Sequence, residues 1–345
     1  MESILAIDVG GGTQDILLYQ PGINMENNTK LVLPSPTQIA AEKIKNATQD
    51  RKDLFIHGYL MGGGPTSRAI KEHLREGLHV YATRSAALTV KDDLHKVAAE
   101  GVKIVDHPPA GCASIEFRDV NLQSLKQALE PFGIVLPSTI AIAVQDHGHS
   151  PQGSNRQFRF SHWEQFLSHG GHLSDLLYDK NNLPDYFTRM KAVMESCREQ
   201  AKKIWLMDTG AAAIMGAMED PRVHKAVKEQ GSLLVNVGNQ HTIAFLTAGN
   251  RVFGVFEHHT GLLTEEKLLD YLQRFKKGSL SHQEVFQDQG HGCAIQEEAG
   301  NFSFDFTAVT GPRRGLASNL GYLAVPHGDM MLSGAFGLVR MSNTE

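Results

Sequence analysis

Cysteine is scarce in this sequence, and its scarcity excludes several kinds of site. The 345 residues include 3 cysteines, Cys112, Cys197 and Cys293, which lie far apart along the chain. An odd number of cysteines at such spacing builds neither a disulfide framework nor a Cys-x-x-Cys metal knuckle. A radical-SAM iron–sulfur cluster, which needs three closely spaced cysteines, is excluded on the same ground.

The sequence also lacks an excess of basic residues and any long apolar run. Its 33 lysines and arginines and 38 aspartates and glutamates give a formal net charge of −5, so no broad basic field favours nucleic-acid binding. The apolar runs have the length of strands and are broken by polar residues, and the N-terminus does not read as a signal peptide. We therefore expect a cytoplasmic protein that binds neither nucleic acid nor a membrane.

The most informative segment is an acidic, glycine-rich turn between the first two predicted strands. Three consecutive glycines, Gly10, Gly11 and Gly12, let the backbone approach a ligand closely, and Thr13 and the exposed amides can donate to anionic oxygens. Asp8 ends the first strand at the same place, where its carboxylate would hold a magnesium ion directly or through water. A glycine-rich hairpin with a solvated acid is the alternative interpretation.

The order of the predicted elements occurs twice. The pattern strand, strand, strand, helix, strand, helix, strand is predicted over residues 3–83 and again from residue 232 onward. Residues 55–83 and 306–325 share a Gly-Pro at the turn from strand to helix, which indicates two related lobes. We expect an α/β protein with an N-terminal lobe at 1–200, including an elaboration and connector at about 91–200, and a C-terminal lobe at 201–345.

Residues 8–15, Asp-Val-Gly-Gly-Gly-Thr-Gln-Asp, resemble the phosphate loop Asp-x-Gly-x-Gly-Thr-x-Asp of the ASKHA superfamily of acetate and sugar kinases, heat-shock chaperone ATPases and actin. The resemblance implies two duplicated ribonuclease-H-like lobes in an actin-like ATPase fold, with ATP and Mg²⁺ bound in the cleft between them. It also implies a kinase or ATPase acting on a small molecule. The chain is further identified as a member of a prokaryotic family whose label is linked to pyruvate formate-lyase activation, and its cysteines do not support that label.

Further segments lie where the ASKHA pattern places the rest of the cleft. Asp208 precedes an alanine-rich helix. It either caps that helix or, as the resemblance to sugar kinases implies, acts as the base on the substrate hydroxyl. Asn236 and Gly238 lie in the counterpart of the second phosphate loop, where Asn replaces the usual Asp and brings no charge. Gly311 and Arg313 belong to the turn expected to border the adenine base.

Two segments of small residues are open to more than one interpretation. The glycines and alanine at 333–337 favour close helix packing over ligand contact. The glycine turn at 61–67, followed by a predicted helix, is equally compatible with an anionic substrate group and with a simple tight turn.

Histidine is abundant, with 17 residues, and several lie beside glycines at predicted strand ends. Imidazole is a common ligand of zinc, iron and nickel, and a carboxylate with two or three histidines would make an open catalytic site. The predicted ligands are Asp146, His147, His149, His258 and His259. No diagnostic spacing such as His-x-x-x-His supports this set, although some ASKHA enzymes that transfer carbamoyl-type groups place a histidine-bound metal beside ATP.

The sequence therefore leaves three functions open. The first is an ATP- and magnesium-dependent kinase or ATPase. The second is a histidine-metal hydrolase or group-transfer enzyme on the same fold. The third is a nucleotide-dependent switch or activator that works with a protein partner.

Overall fold

The computed structural model describes residues 2–343, which form sheets covered by helices. The strands are β1 (Ile4–Val9), β2 (Thr13–Tyr19), β3 (Thr29–Pro34), β4 (Leu54–Gly58), β5 (Val80–Ala82), β6 (Val102–Ile104), β7 (Ala113–Phe117), β8 (Thr139–Val144), β9 (Lys203–Met207), β10 (Ser232–Val237), β11 (His241–Ala248), β12 (Arg251–His259), β13 (Gly292–Ile295), β14 (Phe306–Thr310) and β15 (Tyr322–Leu323). The helices are α1 (Pro36–Gln49), α2 (Gly64–Arg75), α3 (Arg84–Ala87), α4 (Leu94–Ala99), α5 (Leu122–Leu129), α6 (Asn155–Ser168), α7 (Thr188–Cys197), α8 (Thr209–Ala217), α9 (Pro221–Glu229), α10 (Glu265–Lys276), α11 (His282–Gln287) and α12 (Ser333–Ser342). Within these residues, no helix is long and apolar enough to cross a membrane.

Two of the sheets have the same core order. In the first, the strands lie in the order β3-β2-β1-β8-β9, and β1 pairs antiparallel with β2 and parallel with β8. In the second, β12-β11-β10-β14-β15 repeat that order and those directions, with β13 added beside β12. The strand order confirms the predicted fold class of two duplicated ribonuclease-H-like lobes in an actin-like ATPase fold.

The central strands explain why these sheets lie between layers of helices. Every residue of β1, β8 and β10 is buried, and each of these strands is an almost continuous run of aliphatic side chains. A strand that is apolar on both faces needs cover on both faces, which is typical of the parallel part of an α/β sheet. The hydrophobic core therefore continues on both sides of each central sheet.

The sequence-based match of residues 55–83 with residues 306–325 is wrong. β4 and β5 belong to a separate parallel sheet, β6-β5-β4-β7, inserted between β3 and β8, and β8 and β9 complete the first lobe instead. Periodicity identifies a buried strand but does not identify its neighbour, since β4 and β8 are both short apolar runs. The elaboration of the first lobe thus begins at β4, well before the predicted residue 91.

Other boundaries also differ from the expected ones. Because β9 pairs with β8, the first sheet extends past the lobe boundary predicted at residue 200. Within the predicted connector at about 91–200, the polar segment 146–160 contains the start of α6, which Ser154 caps by accepting the amide of Gln157. The last helix begins at Ser333.

The helices that follow the last strand of each lobe pack on the opposite lobe. α8 follows β9 but packs mainly against β10, β11 and β14 and also touches β1 and β8, whereas α12 follows β15 but packs against β1, β2 and β8. The two helices cross closely: a Cβ built on Gly216 would lie 1.6 Å from the carbonyl oxygen of Ser333, and one on Gly337 would lie 2.0 Å from that of Ala212. Close packing, the favoured interpretation of residues 333–337, is therefore what the glycines provide.

Candidate functional site

Each lobe has a glycine turn at the same place in its sheet. Gly10 begins the turn between β1 and β2, and Gly238 begins the turn between β10 and β11. In both turns the glycine amide donates, at 2.9 Å, to the carbonyl oxygen three residues further on. Asp8 and Asn236 each lie two residues before the first glycine of their turn, so they occupy equivalent positions in the two lobes.

The two turns touch each other across the cleft. A Cβ built on Gly11 would lie 2.5 Å from the side chain of Gln240, and one on Gly12 would lie 2.5 Å from that of Asn239. The first turn is also held by Ser35, the residue that caps α1. Its amide donates to the carbonyl oxygen of Gly12 at 3.1 Å, and its hydroxyl donates to that of Gly11 at 3.3 Å.

A cavity of about 480 Å³ opens at the two turns, and its wall also includes residues after β4, residues after β8 and part of α6. The predicted site residues in its wall are Gly10, Gly11, Asp146, His147, Asp208, Asn236 and Gly238. The predicted site residues outside its wall are Asp8, Gly12, Thr13, His149, His258, His259, Gly311 and Arg313. The glycine turn at 61–67, which the sequence left open, also contributes to the wall.

Asp8 is buried behind the cavity wall beside a second acid. Thr209, which lines the cavity, donates its hydroxyl to Oδ1 of Asp8 at 2.5 Å, and a Cβ built on Gly334 of α12 would lie 1.8 Å from Oδ2. Asp15 is the partner of Asp8 across β1 and β2. Burial and the charge of Asp15 raise the pKa of Asp8 well above its usual value, and burial raises the pKa of Asp15 to about 7. A cation bound nearby would favour the charged form of both acids.

Asp208 caps α8 and is also paired with a buried arginine. Its Oδ1 accepts the amides of Gly210 and Ala211 at 2.9 and 3.3 Å, and its Oδ2 accepts Nη1 of Arg159 at 2.9 Å. Oδ1 has two donors and Oδ2 has one, so Oδ2 keeps a lone pair that can accept a further proton, although the positive charge of Arg159 makes the carboxylate a weaker base. The role of Asp208 as a base stays a prediction.

Arg159 of α6 lies at the centre of a buried charge network. Its Nε donates to both carboxylate oxygens of Glu257 on β12 at 2.8 and 2.9 Å, and its Nη1 also donates to the carbonyl oxygen of Asp146 at 3.0 Å. Trp163 and Gln145 each donate to Glu257 at 3.0 Å. Burial alone would raise the pKa of Glu257, but Arg159 holds that pKa well below its usual range. Since Arg159 belongs to the first lobe and Glu257 to the second, the network joins the lobes beside the cavity.

Two of the five predicted metal ligands already use their ligand atoms in internal hydrogen bonds. Both carboxylate oxygens of Asp146 accept backbone amides, at 2.8 and 2.9 Å. The Nε2 atom of His258 lies 3.1 Å from Oδ2 of Asp288, and its Nδ1 lies 3.1 Å from the carbonyl oxygen of His259. The predicted ligand set therefore stays a prediction, and Asp146 and His258 would have to give up these hydrogen bonds to bind a metal ion.

The structure brings a different group of histidines together. One ring nitrogen from each of His147, His241 and His291 lies within 4.8 Å of the other two. The ring of His259 packs beside this group, with its centroid 4.8 Å from that of His241 and 4.7 Å from that of His291. Only His147 of this trio is among the predicted ligands, because the three residues come from segments that are far apart in the sequence.

Comparison with known proteins identifies the family. The sequence pattern of the family described as "Putative pyruvate format-lyase activating enzyme (DUF1786)" matches residues 61–316. The chain belongs to this family. No curated protein matches the sequence significantly.

Solved structures that resemble this DUF1786 member align over nearly the whole chain at low identity. The ethanolamine utilization protein EutJ from Carboxydothermus hydrogenoformans is 9% identical, with 98% of this chain and 89% of that chain covered and a TM-score of 0.35. The activator of the 2-hydroxyisocaproyl-CoA dehydratase from Clostridium difficile, with bound ADPNP, is 9% identical over 99% and 96% of the two chains, with a TM-score of 0.32. The Ppx/GppA phosphatase from Aquifex aeolicus is 9% identical over 93% and 72%, with a TM-score of 0.32. These TM-scores are too low to define the fold, which is instead defined by the strand order of the two sheets.

The cysteines of this DUF1786 member do not match the chemistry in the family's label. Cys112 precedes β7, Cys197 ends α7 and Cys293 lies in β13. Burial raises the pKa of Cys197 to about 11 and that of Cys293 to about 12, so both remain protonated thiols near neutral pH. These cysteines lie in separate elements and do not form the closely spaced set of an iron–sulfur motif.

Proposed function

We propose that this protein is an ATP-binding, magnesium-dependent kinase or ATPase of the ASKHA type that acts on a small molecule in the cavity between its lobes. The observation that carries the proposal is the contact of two equivalent glycine turns at the opening of that cavity. Turns of this kind bind phosphate oxygens through their backbone amides, and glycine permits the close approach. Two such turns in contact would hold one polyphosphate from both lobes.

Asp8 and Asp15 would supply the negative charge that a magnesium ion needs. Burial raises the pKa of both acids, so each favours its protonated form unless a cation is near. Magnesium prefers oxygen ligands and usually keeps several waters. Thr209, which joins Asp8 to the cavity wall, lies where such a hydrated ion would contact the protein.

The third glycine turn supports a place for the adenine base. Gly311 has a φ of +99°, and a Cβ there would lie 2.6 Å from Oδ1 of Asn236. The amide of Arg313 donates to the carbonyl oxygen of Val237 at 3.0 Å, so this turn is attached to the second phosphate turn. We assign the base to this side of the facing turns and the substrate to the cavity on the other side.

Positioning and charge neutralisation provide most of the catalysis in phosphoryl transfer. In this proposal the glycine turns position the phosphates, and Asp208 in the cavity wall accepts the proton of the attacking hydroxyl or water. Arg159 lies 2.9 Å from Oδ2 of Asp208 in this structure, and its positive charge lowers the basicity of that carboxylate, so release of Arg159 as the substrate binds would strengthen Asp208 as a base.

The test is a thermal-shift measurement with ATP or ADP and MgCl₂. A nucleotide at a hundredfold its Kd should raise the free energy of unfolding by about 2.7 kcal/mol. We expect a higher Tm with nucleotide and Mg²⁺, and we expect Asp8→Asn to remove most of the increase. The variant should fold because an amide resembles the neutral acid that burial already favours.

Asp106→Asn, at an exposed position, is the matched control and should keep the full shift. A Tm that no nucleotide changes at millimolar concentration would contradict the proposal and leave only the fold. ATP turnover with a panel of small metabolites then separates a kinase from an ATPase.

A nucleotide-dependent switch is the second candidate function. The crossing of α8 and α12 favours it, since each helix follows one lobe and packs on the other, and a change in their angle would rotate the lobes. ATP turnover that needs a protein partner would support the switch, whereas turnover by the purified chain with a small molecule would support the enzyme.

A further inference from the structure

Three histidines from separate segments converge at the cavity. His147 follows β8 in the first lobe, whereas His241 begins β11 and His291 precedes β13 in the second lobe. Their nearest ring nitrogens all lie within 4.8 Å of one another. His147 and His241 line the cavity, and His291 is fully buried.

The second observation concerns hydrogen bonds that these rings do not make. Both ring nitrogens of His291 and Nε2 of His241 are buried without a hydrogen-bond partner among residues 2–343. Buried polar atoms of folded proteins nearly always have a partner. Two unpartnered nitrogens in one fully buried ring, aimed at two other imidazoles, therefore point to a ligand held between them.

Imidazole is the right kind of group for a metal ligand at this place. A neutral histidine ring has a lone pair on one nitrogen, and that nitrogen is the atom that binds a metal ion. The carboxylate of Glu257 favours a cation at His241 and His291, whereas the guanidinium of Arg159, which is paired with Glu257, opposes a cation at all three rings.

We propose that His147, His241 and His291 bind one transition-metal ion, with zinc as the expected occupant, and that a fourth position opens toward the cavity. Zinc binds imidazole nitrogen at about 2.0–2.1 Å, which places the nitrogens of a tetrahedral site about 3.4 Å apart. From separations within 4.8 Å, each imidazole would move inward by less than about 1 Å. Three protein ligands with an open position are typical of catalytic zinc sites, whereas structural sites are closed by four.

The site would also couple metal binding to the arrangement of the lobes. His147 comes from the first lobe and the other two ligands come from the second. An ion that binds only when the lobes are together stabilises that arrangement, and its binding free energy adds to stability. This site goes beyond the proposed function, because it requires no nucleotide.

Zinc binding by the full chain tests the proposal. The protein is first treated with chelator and dialysed, and zinc is then added in the absence of nucleotide. We expect one zinc ion per chain by elemental analysis, and a visible absorption band of a tetrahedral site when Co²⁺ is used instead. His147→Asn, His241→Asn and His291→Asn should each weaken zinc affinity by more than about 100-fold, because losing a mere outer-shell partner already weakens it by about 10–100-fold. His149→Asn and His258→Asn are the matched controls, and both should retain the affinity.

The outcomes separate this site from the alternatives. The proposal would be overturned if the wild-type protein bound no stoichiometric zinc. It would also be overturned if His149→Asn lost zinc binding while His241→Asn kept it. Should a ligand variant fail to fold, X-ray absorption of the zinc-loaded wild type decides, with three imidazole ligands expected and a site of mainly oxygen or sulfur ligands contradicting them. Since nucleotide is absent throughout, a failed ATP shift and a failed zinc titration remain distinguishable.

Discussion

Asp8 and Asn236 occupy equivalent positions in the two lobes but differ in charge. Each lies two residues before the first glycine of its turn. Asp8 is covered by α12 and Thr209, whereas Asn236 lines the cavity and lies against the Gly311 turn. The first lobe therefore supplies the carboxylate at the cleft, and the second supplies an uncharged amide.

Asn236→Asp should strengthen nucleotide binding and its dependence on Mg²⁺. The new carboxylate would lie beside the metal and phosphates, where a charge-assisted contact contributes about 1.5–3 kcal/mol. Calorimetric titration of ATP at several Mg²⁺ concentrations measures this change. Asn301→Asp, at an exposed position outside the cavity wall, is the control for added charge. Unchanged affinity in a folded Asn236→Asp would mean that this turn does not face the nucleotide.

Local motifs made part of the site predictable. Each glycine turn is a continuous run of residues in the sequence, and the structure places the two turns in contact. Arg159 was missed because its partners Asp208 and Glu257 lie far away in the chain. Arg159 stands between Phe158 and Phe160 in the sequence, but an arginine is mostly exposed unless it has a charged partner, and that partner is not visible in the local pattern.

At the scale of elements, one irregularity in the β11–β12 hairpin decides which histidines meet. Continuing the pairing found at the hairpin turn would place His241 opposite His258. The register shifts by one next to Leu246, so His241 lies opposite His259 instead. His258 is therefore turned to the other face, where it contacts Asp288. Such a bulge is not readable from this sequence, and a slip of one residue changes the face of every side chain beyond it.

The crossing of α8 and α12 leads to a prediction about Gly216 and Gly337. Alanine favours an isolated helix over glycine by about 1 kcal/mol, yet here its Cβ would overlap the carbonyl oxygen of Ser333 or of Ala212. We expect Gly216→Ala and Gly337→Ala each to lower the free energy of unfolding by about 1–3 kcal/mol, as overpacking does. Urea unfolding measures the loss.

Gly261→Ala is the control, because no atom lies within 4 Å of a Cβ built there. If both helix variants proved as stable as the wild type, the helices would be free to separate and the crossing would not fix the lobes.

At the scale of the whole molecule, the structure confirms the prediction of two lobes, although the match of residues 55–83 with residues 306–325 that supported it is wrong. The sequence could not show that a four-stranded sheet is inserted before the first lobe is completed. β8 returns to the side of β1 after that insertion, and the pairing depends on contacts between remote segments. Local pattern identifies strands, whereas long-range burial selects their neighbours.

The response of stability to pH depends on two opposing sets of buried groups. Burial lowers the pKa of several histidines, which makes acidification destabilising: His73, His147, His162, His241, His259 and His291. Burial raises the pKa of Asp8, Asp15 and Asp146. The folded protein binds these protons more tightly than the unfolded chain does, so the free energy of unfolding falls as the pH rises through each raised pKa, which is about 7 for Asp15. A single variant is therefore needed to isolate one contribution.

His162→Phe isolates such a contribution. The ring of His162 is stacked on Tyr186, with centroids 4.3 Å apart, and burial lowers its pKa to about 4. As the pH falls from about 7 to about 4, the unfolded chain takes up a proton here before the folded protein does, so the wild type loses stability. The free energy of unfolding of His162→Phe minus that of the wild type should rise as the pH falls through this interval, and it should stay constant above about pH 7.

Urea unfolding at a series of pH values measures that difference. His224→Phe, at an exposed position on α9, is the control. A difference between His162→Phe and the wild type that does not vary with pH would show that the folded protein accepts a proton at His162 as readily as the unfolded chain.

The exchange of α8 and α12 between the lobes also bears on how the chain matures during synthesis. Ile4 and Ala6 of β1 belong to the same buried cluster as Phe336 and Leu338 of α12, which lie at the far end of the described chain. A ribosome therefore releases β1 long before the helix that covers it exists. The nascent first lobe must keep part of its apolar surface exposed, a state open to chaperones and to misassembly, until α12 emerges behind the second lobe.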